Sequence, residues 1–286
     1  GTSKASIGLA ATVYSIARNH NPRLDLGTKV VGSMSTGDEF AYYVINLDRS
    51  KKRWQKINEH LQSMGIESER IRAVYGADLL DEEITRYYTP DLNQKQFFMP
   101  LKLAEIGCFI SHQRALETFV NESEKSYAIV LEDDVEFIAN VDEYKHQWLD
   151  AVQGQDAKIL KLYSRRKVKG DLVYSKHDYN TIRPRLVPLG TQATIYNRAA
   201  AIKLLETYRQ FGMPIDVAYQ HFWQHGVIVL VSASNHVKEI SSQLGGSNIS
   251  NKHDFPLTYK IKRELKRSWY RFKIALLSLY HFSKAQ

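Results

Sequence analysis

Cysteine is nearly absent from this chain: Cys108 stands alone among 286 residues. One thiol cannot close an intrachain disulfide or build a thiolate metal cluster, so a reducing, cytoplasmic compartment fits best. Long apolar runs are missing as well. The longest, Ile7 to Ala17 and Ile274 to Leu279, fall well short of the roughly 20 residues that span a bilayer, and neither reads as a secretory signal. Internal repeats and low-complexity tracts are also lacking. Excess basic charge is scarce over the body: the formal net charge is +8, but Pro256 to Gln286 carries eight Lys/Arg against the single acid Glu264 and accounts for +7 of it. A body so close to neutral argues against a broad nucleic-acid-binding face.

What is present is an ordinary globular composition, 43% hydrophobic and 24% charged, with enough length to bury a core without staples. Three segments are expected. Residues 1–37 lack the pattern of the rest and read as a leader, with Met34-Ser35-Thr36 a natural translation start; the alternative is an authentic helix over Ala5 to Arg18. Residues 38–255 form the main domain, and residues 256–286 a basic helical tail.

Within the domain, Phe40 to Leu47 is β-branched and aromatic, and Ser50 can cap a helix that runs to Met64 and stops at Gly65. Ile71 to Val74 reads as a strand and Thr89 to Pro100 as a loop. A helix from Leu103 to about Asn121 leads into the apolar strand Tyr127 to Leu131. Further strands are expected at Lys158 to Tyr163, Thr191 to Tyr196 and Val227 to Val231. A basic loop is expected from Ser164 to Arg183 and a helix at Arg198 to Tyr208. Strands alternating with helices predict an α/β fold with a mostly parallel central sheet covered on both faces.

The strand at Tyr127 ends in Glu132-Asp133-Asp134. Carboxyl ends of strands are where open α/β sheets bind ligands. On an extended chain Glu132 and Asp134, two residues apart, point to one side and can converge on Mg²⁺ or Mn²⁺, ions that prefer hard oxygen donors. The plain alternative is that these acids cap the next helix, and other phosphotransfer and nuclease folds also put carboxylates at strand ends.

Four more stretches accompany the cluster in order: Tyr43 to Arg49 with Arg53-Trp54, Glu105 to His112, then beyond the cluster Gly190 to Thr194, and Pro214-Ile215-Asp216. Together these motifs resemble glycosyltransferase family 25, the lipooligosaccharide and lipopolysaccharide biosynthesis galactosyltransferases. The resemblance runs from about Tyr42 to Asp216 and more faintly to Ser250. It implies a GT-A-like domain, a UDP-galactose donor, Mn²⁺ or Mg²⁺ as cofactor, a terminal sugar of lipooligosaccharide as acceptor, and inversion at the transferred sugar. The motif here is Glu-Asp-Asp where GT-A enzymes carry Asp-x-Asp.

Residue by residue, the resemblance puts Asn46, Asp48, Arg49, Ser111, His112, Glu132, Asp133, Thr191 and Gln192 around the donor. Metal contact falls chiefly to Asp134, with Glu132 sharing it, and Asp216 is the candidate base for the acceptor hydroxyl. Each has a plainer reading: turn residues for Asn46 and Asp48, a packed helical histidine for His112, a helix cap for Asp216. Glu105, Phe109 and His112 share one helical face, and Cys108 reads as inert packing. His221 and His236 are candidates to complete a metal site. Arg165, Arg166, Lys167, Lys169, Lys176, Arg183 and Arg185 can form a solvated face or a clamp for phosphates of donor or acceptor, and the stretch is read here as a mobile acceptor loop.

In the tail, Ile261, Leu265, Trp269, Phe272, Leu276 and Leu279 repeat at helical spacing among Lys262, Arg263, Lys266 and Arg267. That pattern predicts an interfacial helix drawn to anionic lipid, which places the protein peripherally on the cytoplasmic face of the inner membrane. The alternative is a helix packed on the domain with a wet basic face. Two other function classes stay open: a nucleotide-sugar or lipid-surface binding module without a base, and a nucleic-acid binder suggested by the tail alone.

Overall fold

A computed structural model describes residues 39–244 and 257–284. The expected leader, and the junction between domain and tail at residue 255, lie outside the described residues. Strand β1 (Phe40–Asn46) leads through helix α1 (Lys51–Ser63) to β2 (Glu69–Arg72). Ser50 occupies the capping position of α1 without a side-chain bond to it, and Gly65, with φ +70°, turns the chain away just after the helix.

Two short helices follow, α2 (Asp81–Tyr87) and α3 (Pro90–Gln96). The second corrects the loop expected there: Thr89 Oγ1 accepts the Leu92 N–H at 3.3 Å, and proline fills the first helical position, where a missing N–H costs nothing. Helix α4 (Leu103–Glu122) then feeds β3 (Tyr127–Glu132), followed by β4 (Val135–Phe137) and α5 (Val141–Val152). Beyond them lie β5 (Lys158–Lys161), β6 (Gly170–Lys176), β7 (Tyr179–Pro184), β8 (Ala193–Asn197) and α6 (Arg198–Thr207). Helices α7 (Ile215–Gln220) and α8 (Phe222–His225), strands β9 (Ile228–Ser232) and β10 (Val237–Glu239), and the long helix α9 (Leu257–Lys284) complete the described chain.

Eight strands form one sheet in the order β2-β1-β3-β8-β5-β9-β7-β6. The fold is α/β with helices on both faces, but the sheet is mixed where a mostly parallel one was expected. Pairs β1–β2, β1–β3 and β5–β9 are parallel, whereas β3–β8, β5–β8, β7–β9 and β6–β7 are antiparallel. The difference has two sources: β8 enters antiparallel between β3 and β5, and a hairpin extends the sheet beyond β9. The stretch read as a basic loop is a hairpin, β6–β7, turning at His177 in the left-handed region (φ 52°). Its outer strand β6 is largely exposed at the sheet edge, Leu172 and Val173 included, with Asp171 and Lys176 near its two ends.

Alternate residues of the central strands feed two cores. Ala128 and Val130 of β3 pack with α4 and α6 through Phe109, Leu116 and Ala201, while Ile129 and Leu131 meet α1 and α5 through Leu61 and Trp148. Helix α9 sets Ile274, Ser278 and Phe282 inward and leaves Ile261, Leu265, Trp269, Phe272, Leu276 and Leu279 exposed. The tail helix therefore packs on the domain along one side and leaves an apolar stripe exposed along another.

The approach of α4 to the turn after β2 is set by two glycines. A Cβ on Gly107 would lie 2.5 Å from the Val74 carbonyl oxygen and 2.8 Å from the Gly76 nitrogen. Gly107→Ala should therefore overpack this junction by roughly 1–3 kcal/mol, lowering Tm by roughly 2–12 °C. Thermal denaturation followed by circular dichroism tests this; an unchanged Tm would show that the backbone yields freely.

Candidate active site

Parallel pairing of β1 with β3 in the register Ile45↔Glu132 sets Asn46 beside Asp133 at the carboxyl ends of both strands. Antiparallel pairing of β3 with β8 brings Gln192 opposite Glu132, whose N–H donates to the Gln192 carbonyl at 2.9 Å. The short pair β4–β10 then folds Glu239 back beside Asp134, because Ile240 N–H donates to the Asp134 carbonyl at 2.7 Å.

The three carboxylates are treated differently. Asp133 is consumed internally: Asn46 Nδ2 donates to one oxygen at 2.7 Å and Arg53 Nη1 to the other at 3.0 Å. Burial nevertheless leaves its pKa above the ordinary value, against the pull of Arg53 and Asn46. Glu132 accepts the Thr191 hydroxyl at 2.6 Å and lies 3.7 Å from His112 Nε2. Burial pushes its pKa up, but His112, Thr191 and Arg165 outweigh that and hold it below the ordinary value. Among the described residues Asp134 has only a long contact to Arg53, 3.4 Å, and its buried Oδ1 has no partner. Burial first, then the charges of Glu132 and Asp133, push its carboxyl up to about 7.

Glu132 and Asp134 face one cavity of about 350 Å³ that Glu105, Arg165, Asp216 and Glu239 also line. The loop before β8 ties two of its acids together. Gly190 N–H donates to Asp216 Oδ2 at 3.1 Å, and the next residue, Thr191, holds Glu132. Asp216 sits in the first turn of α7, and its Oδ1 accepts its neighbour's N–H, Val217, at 2.9 Å. Gln192 and Cys108 line the same cavity, and burial drives the Cys108 thiol pKa well up, keeping it protonated. A larger cleft of about 1380 Å³ opens at the amino end of β1, lined by Tyr42, His60, Glu69 and Asp142. It shares no residue with the carboxylate cavity and lies at the end of the parallel strands where open sheets do not carry their chemistry, so volume is a poor guide here.

At the carboxyl end of β1, Asn46 Oδ1 accepts from Arg70 Nε at 2.9 Å. Asp48 is half exposed and bridges Arg70 (2.9 Å) and Arg72 (2.5 Å). These two arginines outweigh a slight burial and hold its pKa below the ordinary value. The Arg49 guanidinium lies over the Tyr75 ring at 3.9 Å. Neither Asp48 nor Arg49 reaches the carboxylate cavity. Ser111 is a brace: it accepts the Val74 N–H at 2.8 Å and donates to the Gly107 carbonyl at 2.6 Å. His112 is fully buried behind Glu132.

Neither later histidine joins the acids. His221 contacts Tyr270 Oη at 3.1 Å, and His236 accepts the Trp148 indole N–H at 3.2 Å. Burial pushes each down to about 4. Among the described residues no group of three or more His, Cys, Asp or Glu is arranged to hold a metal ion. The metal-completing imidazole is thus corrected, and the fit rests on carboxylates alone. Mg²⁺ and Mn²⁺ suit that set, because one or two carboxylates suffice when water and phosphate oxygens fill the remaining positions. The unpartnered Asp134 oxygen and the surplus negative charge around it suit a divalent cation.

Arg53 appears in the sequence motif without a role, yet it is the cation that neutralises Asp133. Its place on the buried face of α1 with Ile57 and Leu61, at i and i+4 spacing, was the available signal. Glu239 has none, being 105 residues from Asp134 in the chain and brought near only by β4–β10. Of the basic stretch, Arg165 reaches the cavity and grips Glu239 through both oxygens, at 3.0 and 2.8 Å. Lys176 and Arg185 sit on the hairpin with Asp150 and Asp171.

The family model of glycosyltransferase family 25 (LPS biosynthesis protein) matches residues 40–219, and the chain belongs to that family. A glycosyltransferase 25 family member of Anopheles gambiae is 33% identical over 98 residues, which is 33% of this chain and 16% of the relative. Procollagen galactosyltransferase 1-A of Xenopus laevis is 26% identical over 122 residues, 41% of this chain and 20% of the relative. The chain thus spans a fifth or less of the length of these relatives. A Drosophila beta-1,4-galactosyltransferase 7 mutant solved with manganese, UDP-Gal and xylobiose overlaps at a TM-score of 0.32 with 11% identity, over 78% of this chain and 79% of that one. So loose an overlap carries no mechanism across.

Asp134 supplies a stability test. Its folded pKa, about 7 against an ordinary 3.8, lies above the unfolded one, so its charge costs nothing below about pH 4. The cost grows through pH 7 and is constant above. Asp134→Asn should stabilise the chelator-treated protein by roughly 2–4 kcal/mol at pH 8 and distinctly less at pH 5. Equal gains in Tm at both pH values would refute the assignment.

Proposed function

We propose that this protein transfers galactose from UDP-galactose to a terminal sugar of bacterial lipooligosaccharide, inverting the anomeric centre with the help of Mn²⁺ or Mg²⁺. Family membership supports sugar transfer, and the word galactosyltransferase in the name of the Xenopus relative favours galactose. The observation that carries the reading is the Gly190-Thr191 clip, which holds Asp216 and Glu132 from adjacent residues in the lining of one cavity. A single displacement needs only one base, on the acceptor side, and a charge sink for the departing diphosphate.

Asp216 takes the proton of the acceptor hydroxyl as that oxygen attacks the anomeric carbon. Asp134, with Glu132, holds the divalent cation, which when bound neutralises the leaving nucleoside diphosphate. Asn46 and Arg53 fix Asp133, and through it the turn that carries Asp134. Asn46, Asp48 and Arg49 offer the polar edge where the nucleotide of an open α/β site is expected. Charge build-up at the sugar should have oxocarbenium character, as in other glycosyl transfers.

A different nucleotide-sugar donor is the nearest rival reading. Incubating the purified protein with a panel of UDP-sugars and a lipooligosaccharide acceptor, with and without Mn²⁺, separates the two by UDP release. UDP-galactose should be turned over fastest. Asp216→Asn should lower kcat by about 10²- to 10⁴-fold with donor affinity changed only a few-fold, and Asp134→Ala should lose transfer and metal dependence together. Donor binding without turnover would make the chain a binding module, and full activity of Asp134→Ala in chelator would defeat the metal assignment.

The acceptor's membrane anchor gives the exposed stripe of α9 a use. Among the described residues no helix is long and apolar enough to cross a membrane. The stripe from Ile261 to Leu279 is flanked by the exposed Lys262, Lys266 and Lys273. Such a face suits peripheral docking on an anionic leaflet, here the cytoplasmic face of the inner membrane. Replacing Leu265 and Trp269 by serine should cut co-sedimentation with phosphatidylglycerol vesicles at least tenfold. Preference for duplex DNA over those vesicles would overturn docking in favour of nucleic-acid binding.

A further inference from the structure

Lys161, the last residue of β5, is 1% exposed and lies between the buried Leu160 and Leu162. An ammonium is expensive to bury, and it persists inside a protein when bonded and facing opposite charge. Here Nζ donates to the backbone carbonyl of Pro188. Burial pushes its pKa down to about 8, against the fields of Asp216 and Glu132. The transfer step described above makes no use of this residue.

Pro188 begins the loop that ties the cavity together. Two residues on, Gly190 N–H holds Asp216, then the Thr191 hydroxyl holds Glu132, and then the Gln192 carbonyl accepts the Glu132 N–H. Gly190 has φ +93°, and a Cβ there would lie 2.3 Å from Gln192 Oε1. The loop therefore follows one tight path, with Lys161 at its origin and both carboxylates along it.

We propose that Lys161 is a positioning residue for the transfer reaction: by holding the Pro188 carbonyl it fixes the 188–192 loop, and so fixes Asp216 relative to Glu132. The proposal rests on Asp216 being the base. A charged donor is suited to the task for two reasons. Hydrogen bonds from ionised donors are roughly twice as strong as neutral ones. A positive charge beneath two carboxylates in a dry interior also offsets their mutual repulsion across the cavity.

Lys161→Met and Lys161→Gln test this, with two readouts taken on the full chain. Amide hydrogen exchange at Gly190 should accelerate at least tenfold in both folded variants, while amides of β1 and β3 stay at wild-type rates. With the sugar donor that the wild-type protein turns over, kcat should fall at least 30-fold and the donor KM change less than threefold, the glutamine variant losing less than the methionine one. Unchanged loop exchange, exchange raised equally throughout, or a loss confined to KM would overturn the proposal. So would failure of both variants to fold, which would make Lys161 a residue of the fold and not of the site. If the wild-type protein transfers no sugar while the exchange response is present, the hold on the loop stands and the transferase reading falls.

Discussion

Three consecutive carboxylates at the end of a strand buried on both faces repel one another, and the surroundings are organised by the partners that keep them there. Like charges a few ångströms apart in a poorly screened site cost kilocalories, so each acid must be paired, hydrogen-bonded or protonated. Asp133 is paired with Arg53 and Asn46. Glu132 is held by Thr191 and backed by His112. Asp134 is the least compensated among the described residues, with only the long contact to Arg53, and its raised pKa follows from burial and from the neighbouring charges of Glu132 and Asp133. Removing Arg53 would strand a buried charge, a change that typically costs several kcal/mol.

Delivery of those partners depends on the mixture of strand directions. Parallel pairing of β1 with β3 puts the polar ends of both strands on one edge, which is how Asn46 reaches Asp133. Antiparallel pairing of β8 with β3 means that the loop entering β8, and not its exit, meets the end of β3. A wholly parallel sheet would have brought a strand's carboxyl end there instead. The Gly190-Thr191 clip therefore depends on the departure from the parallel pattern that the alternating strands and helices suggested.

Much of the scaffold was legible because its signals are local. The apolar run Tyr127 to Leu131, the α4 periodicity and the stop at Gly65 fall within a residue or two of the observed limits. Thr89-Pro90 is itself a helix-start signal, and β6 is hard to read because its short apolar centre, Leu172 to Tyr174, sits in a stretch rich in Lys and Arg. At the site, the sequence put Glu132, Asp134 and Asp216 on the list, and all three line one cavity. It did not expose Glu239 or the task of Lys161, since both depend on strand pairings between distant segments. Ser111 belongs to a matching motif yet serves the contact between α4 and the chain after β2, so a motif residue can mark packing beside a site as readily as the site itself.

The region matched by the family model ends at residue 219, whereas Glu239 lies beyond it and lines the same cavity beside Asp134. The two acids are not equivalent. Glu239 is gripped by Arg165 through both oxygens and accepts the Ser241 hydroxyl at 2.7 Å, so its charge is already balanced. A cation entering the cavity gains most where negative charge is least compensated, and that place is Asp134. Arg165 gives the arrangement a second consequence: a guanidinium in the same cavity as the acids can meet a diphosphate only by sharing or leaving Glu239. Under the proposed transfer, the pair Arg165–Glu239 would set how much positive charge the cavity offers to a diphosphate, and Asp134 would be the first carboxylate to draw a cation.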